Sequence, residues 1–108
     1  MTVSAEEVLQ RAISVILQTD PLIKLLQQVR LGRMKPTDAG LRAVTDSWLY
    51  TYEKTLAMDG LTRSSLRRLN PAPRLAVLIE IGVLSEDHRG VASLKAAHDR
   101  AVAQATGE

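Results

Sequence analysis

Apolar residues recur along this chain with the spacing of amphipathic helices. The first run follows Ser4 and Glu7, whose separation predicts a capping box in which each side chain accepts from an orphan backbone N–H. Six apolar positions then recur with the helical period: Val8, Leu9, Ala12, Ile13, Ile16 and Leu17. The pattern predicts a first helix that packs one face against a core.

Cap and stop residues divide the next part of the chain into further helices. A second helix is predicted to begin at Asp20-Pro21 and to end at Gly32. Thr37 or Asp38 can cap a third helix, which Asp59-Gly60 stops. The apolar side of that third helix comprises Leu41, Val44, Trp48, Tyr52 and Leu56. Since the aromatic rings of Trp48 and Tyr52 share this side, we expect both in the core, whereas Tyr50 points away from it.

The remaining elements are separated by proline, glycine and serine. A short fourth helix over 62–69 must end by Asn70, because Pro71 disfavours helical geometry in the residue before it. The run 74–82 is nearly continuous in apolar residues, so periodicity alone is consistent with either a buried helix or a buried strand. The prolines before it and Gly82 after it favour a helix. Ser85, with Glu86 and Asp87, is predicted to open the last helix.

Short connectors between these elements predict a compact all-α bundle of five or six helices, which contains a possible helix-turn-helix. The length of 108 residues fits a single all-helical domain over 1–108. No internal repeat or low-complexity segment stands out in the sequence.

Cysteine is absent, which excludes a disulfide framework and a thiolate metal site and favours a reducing, cytoplasmic environment. The N-terminal residues lack a basic stretch ahead of an apolar run, and no apolar stretch approaches the roughly 20 residues that cross a bilayer. We therefore expect neither secretion nor membrane insertion.

Positive charge is concentrated in the middle of the chain. Residues 24–74 contain ten Lys and Arg against four acidic residues, a net +6, whereas the whole chain carries only +2. This distribution is typical of a domain with one surface that faces an anion. Solvated basic side chains on amphipathic helices would give the same count.

The run Gly60-Leu61-Thr62 followed by a basic amphipathic stretch resembles the turn and second helix of the helix-turn-helix module of bacterial DNA-binding proteins. That module has a turn glycine, an apolar residue and a small polar cap, and Leu66 and Leu69 fall where it has apolar residues. The resemblance spans residues 52–70. It departs from the module at Leu56, where a small residue is usual, and at Asp59, where an apolar residue is common.

The resemblance implies a small DNA-binding regulatory protein in which the fourth helix enters the major groove. We expect contacts with duplex DNA from six residues: Thr62, Arg63, Ser64, Arg67, Arg68 and Arg74. Arg63 and Arg67 are assigned to base edges, and Arg68 and Arg74 to phosphates. Lys54, Arg33 and Lys35 would add backbone contacts. The resemblance also implies a homodimer, to which the alanine-rich last helix could contribute.

Other chemistry finds little support in the sequence. His88 and His98 lie on the predicted last helix about 15 Å apart, too far to share a metal ion, and are interpreted as solvated. No nucleophile elbow or phosphate loop is present. We therefore expect no catalytic residue, no cofactor and no metal. The alternative function is an all-helical adaptor or inhibitor that acts by protein–protein interaction without nucleic acid.

Overall fold

A computed structural model describes residues 4–17 and 20–105, and these residues form α-helices and no strand. The six helices are α1 (Ala5–Leu17), α2 (Asp20–Arg30), α3 (Ala39–Leu56), α4 (Arg63–Arg68), α5 (Ala72–Ile81) and α6 (Arg89–Gln104). The predicted all-α bundle is confirmed, and the apolar run at 74–82 is helical rather than a strand. Within the described ranges, none of the helices is long and apolar enough to span a membrane.

Several helix ends are formed by the predicted residues. The Ser4 hydroxyl accepts from the Glu7 backbone N–H at 3.2 Å, and the Asp38 carboxylate accepts from the Leu41 N–H at 3.0 Å. Gly82 ends α5 with a left-handed φ of 95°, a conformation that costs glycine little because it has no Cβ. The predicted cap at Asp20-Pro21 depends on side chains outside the described residues.

The start of α6 differs from the prediction. Ser85, Glu86 and Asp87 form a turn rather than a first helical turn, and the His88 N–H donates to the Ser85 carbonyl at 3.1 Å. His88 is itself the cap, since its Nδ1 accepts from the Gly90 N–H at 3.0 Å. The interpretation of His88 as a solvated helix residue was therefore wrong.

The core runs through all six helices and is mainly leucine. Leu41, Leu69, Leu78 and Leu94 are fully buried. On α1, Leu9 and Ile13 are buried and Ala12 is half-buried, but Val8 is 45% exposed, so the buried face is narrower than predicted. The side chains of Ile16 and Leu17 lie outside the described part.

Two stretches of the chain that lie 50 positions apart share the same backbone. Gly32 and Gly82 both have a left-handed φ, 74° and 95°, and each donates its N–H to the carbonyl three residues earlier at 3.1 Å. A side chain then caps the following helix in each stretch, Asp38 for α3 and His88 for α6. The sequence pairs at this offset include Asp20-Pro21 with Asn70-Pro71, Lys24 with Arg74, Leu25 with Leu75, Gly40 with Gly90, and Leu41 with Val91.

The segments α2–turn–α3 and α5–turn–α6 therefore repeat one backbone pattern, which does not stand out in the sequence. Together with the helix that precedes each segment they define two repeat units, α1–α2–α3 and α4–α5–α6. The equivalent helices α3 and α6 form the most extensive contact between helices, and the equivalent helices α2 and α5 also touch. Within the units, α1 packs on α3 as α4 packs on α6. The two Gly-containing turns lie side by side, since a Cβ built at Gly82 would be 3.9 Å from Cβ of Pro36.

Candidate nucleic-acid interface

The predicted turn before the fourth helix is present. After α3 ends at Leu56, Gly60 adopts a left-handed φ of 89°, which a residue with a Cβ adopts only at a cost. Leu61 then turns into the core, and Thr62 in extended conformation precedes the first residue of α4. The helix is six residues long, one residue shorter at each end than the predicted 62–69.

Thr62 and Ser65 form a reciprocal capping box at the start of α4. The Thr62 hydroxyl accepts from the Ser65 N–H at 3.1 Å, and the Ser65 hydroxyl accepts from the Thr62 N–H at 2.9 Å. Both orphan backbone donors are therefore satisfied. The Thr62 oxygen accepts in this cap, whereas contact with a DNA phosphate would use the Thr62 hydroxyl as a donor.

The inner side of α4 is fixed to the neighbouring helices. Leu66 and Leu69 are buried, and their carbonyls accept hydrogen bonds from side chains of the other repeat unit and of α6. The Tyr52 hydroxyl donates to the Leu69 carbonyl, and the Nε2–H of His98 donates to the Leu66 carbonyl at 3.0 Å. His98 is half-buried rather than solvated, which corrects its sequence-based interpretation.

These two anchoring bonds were not found by sequence reasoning. The Tyr52 bond spans 17 residues and the His98 bond spans 32, so no local pattern signals either pair. The core position of Tyr52 was predicted correctly, and its ring meets that of Trp48 edge-on with centroids 5.1 Å apart. Both bonds hold the C-terminal part of a short helix that could not be stable alone.

The outer side of α4 carries most of the predicted contact residues. Arg63, Ser64, Arg67 and Arg68 are all exposed there. Arg74 belongs to α5 instead, where it is half-buried with its guanidinium carbon 5.9 Å from the centre of the Trp48 ring. The structure thus groups four of the six predicted residues on one exposed helix face, and separates Thr62 in the cap and Arg74 beside Trp48.

The other basic residues named from the sequence lie elsewhere. Lys54 is exposed on α3 and places its Nζ 5.2 Å from the centre of the Tyr50 ring. Arg33 and Lys35 are exposed in the turn between α2 and α3, which adjoins the α5–α6 turn. Arg33 and Lys35 therefore lie near the place where the two repeat turns meet.

Within residues 4–17 and 20–105, the structure contains no group of three or more His, Asp or Glu side chains that could hold a metal ion. The pKa of Asp87 is lowered, chiefly by a hydrogen bond from Ser85, in the turn before α6. The Asp87 carboxylate is therefore part of the hydrogen bonding of this turn.

Comparisons with protein-family models, with curated proteins and with solved structures find no match to this chain.

Proposed function

We propose that this protein binds duplex DNA through the exposed face of α4, defined by Arg63, Ser64, Arg67 and Arg68. The observation that carries the proposal is the arrangement of three exposed guanidinium groups on one turn and a half of a helix whose other side is buried. Guanidinium groups pair with guanine edges and phosphates in duplex DNA. Because α4 is fixed to its neighbouring helices, it would present these groups to DNA without first having to become ordered.

The individual roles follow from position. Arg63 and Arg67 are proposed to reach base edges, and Ser64 to add a hydrogen bond. Arg68, at the C-terminal end of α4, and Arg74, on α5, are proposed to contact phosphates. Two copies of α4 in a homodimer would match half-sites one helical turn apart, a geometry implied by the helix-turn-helix resemblance.

The test is fluorescence anisotropy with a labelled random duplex at about 50 and 200 mM salt. We expect salt-sensitive binding, since each phosphate neutralised by the protein releases counterions. Replacing Arg67→Ala and Arg68→Ala together should weaken binding. It should also make the plot of log affinity against log salt less steep by roughly one, because Arg68 is the member of the pair assigned to phosphate. Sedimentation of the same samples would measure the homodimer.

A matched double variant separates specific loss from loss of net charge. Arg42→Ala with Arg89→Ala removes the same charge from exposed positions at the starts of α3 and α6. This pair should retain more affinity than the α4 pair. Affinity weaker than millimolar at low salt, or equal damage from both pairs, would contradict the proposal. A protein partner retained by the α4 variant would then support the adaptor or inhibitor alternative.

A further inference from the structure

A groove lies where α2 and α5, the equivalent helices of the two repeat units, pass over α3. Its volume is about 530 Å³, within the range of small-molecule sites. Two pairs of lining residues stand at the repeat offset, Ile23 with Pro73 and Gln27 with Val77. The groove is thus part of the seam between the units, and among the residues of the exposed α4 face only Arg68 lines it.

The charge of the groove favours an anion. Arg30, Arg68 and Arg74 reach it from three different helices, and among the described residues that line it none is acidic. The residue at the repeat offset from Arg30 is Glu80, and it does not line the groove. Guanidinium groups bind carboxylates and phosphates through charge-assisted hydrogen bonds.

Several of the other residues that line the groove are apolar, which favours an anion that carries an apolar group. Ile23, Leu26 and Val77 contribute aliphatic surface, and Ile23 is 37% exposed. Trp48 also lines the groove, is 5% exposed, and its buried Nε1–H has no hydrogen-bond partner in the described part of the protein. Trp48 therefore contributes ring surface to the lining of the groove.

We propose that this groove binds a small amphipathic organic anion, an aliphatic or aromatic body that carries one carboxylate. The body lies against the aliphatic side chains, and the carboxylate lies among the guanidinium groups. This site overlaps the proposed DNA contact at Arg68 and Arg74, but it also uses Arg30 and Trp48, which the DNA contact does not.

The experiment is a titration of the whole protein with octanoate, followed by ¹H–¹⁵N NMR. Trp48 is the only tryptophan, so its single indole N–H signal reports directly on the groove. We expect a saturable shift with a dissociation constant on the order of a millimolar, as befits a ligand of this size. Octanamide has the same chain without the charge and should bind roughly tenfold more weakly. No saturable shift up to about ten times that concentration, or equal binding of octanamide, overturns the proposal.

Two arginine variants complete the test. Arg30→Gln removes one guanidinium from the groove and should weaken octanoate binding roughly tenfold. Arg89→Gln removes the same charge at the exposed start of α6 and should leave binding unchanged. Equal affinities of the two variants contradict the assignment. Because Arg30 lies off α4, octanoate binding with no DNA binding sinks only the DNA proposal, and the reverse result sinks only this one.

Discussion

At the scale of single residues, Tyr52 joins packing to hydrogen bonding. Its ring is buried against Trp48, and its hydroxyl donates to the Leu69 carbonyl at the end of α4. Burial raises the pKa of the Tyr52 phenol above its ordinary value, because the phenolate would lose hydration, and the positive charge of Arg74 opposes this only in part. The neutral, donating phenol is therefore the form that the fold requires.

We predict that the protein loses stability at alkaline pH because of Tyr52. Below the ordinary tyrosine pKa of about 10 the phenol is neutral in both states. Above it the unfolded chain ionises while the folded one resists, so the free energy of unfolding falls as pH rises. Chemical denaturation at about pH 8 and pH 11 should show this fall, and Tyr52→Phe should reduce it. Tyr50→Phe, at a residue that is 63% exposed, should leave the fall unchanged; an identical profile for both variants would rule out this origin.

At the scale of helices, caps decide where each element begins. Asp38 and Thr62 could be recognised in the sequence because short polar side chains before an apolar run are common N-caps. The start of α6 could not, because Ser85 and Asp87 offer the same local signal. Tertiary packing overrides that signal: Val83 and Leu84 must enter the core after Gly82, so the chain makes a turn before the helix starts. The exposed arginines of α4 were predictable because the helical period turns them away from Leu66 and Leu69.

A cap at His88 has a measurable consequence. His88→Ala removes the acceptor of the Gly90 N–H and should lower the free energy of unfolding by about 1 kcal/mol. His88→Asn supplies a side-chain oxygen with a strong N-cap preference and should restore most of that loss. Urea denaturation of the three proteins tests this order. A His88→Ala protein as stable as the parent would show that the imidazole contributes nothing to α6.

At the scale of the whole molecule, the contact of α3 with α6 is the most extensive between helices and joins the two repeat units. The repeat escaped sequence reasoning because identical or similar residues stand at only a minority of the equivalent positions, and because α1 is about twice as long as α4. The groove escaped it for another reason: its arginines come from three helices, and only their assembly brings them together. Periodicity predicts which face of a helix is buried, but it does not predict which helices meet.

The pairing of α3 with α6 implies that neither repeat unit unfolds by itself. Leu41 of the first unit and Leu94 of the second are fully buried, and each truncation, Leu41→Ala or Leu94→Ala, should cost about 3 kcal/mol through lost contacts and a residual cavity. Both should shift one shared transition, seen alike by Trp48 fluorescence in the first unit and by helical circular dichroism over the whole chain. Leu31→Ala, at a residue that is 62% exposed, should change stability by less than about 0.5 kcal/mol. If Leu94→Ala lowered the dichroism transition and left the Trp48 transition in place, the two units would be independent domains, and the seam between them could not be a rigid binding groove.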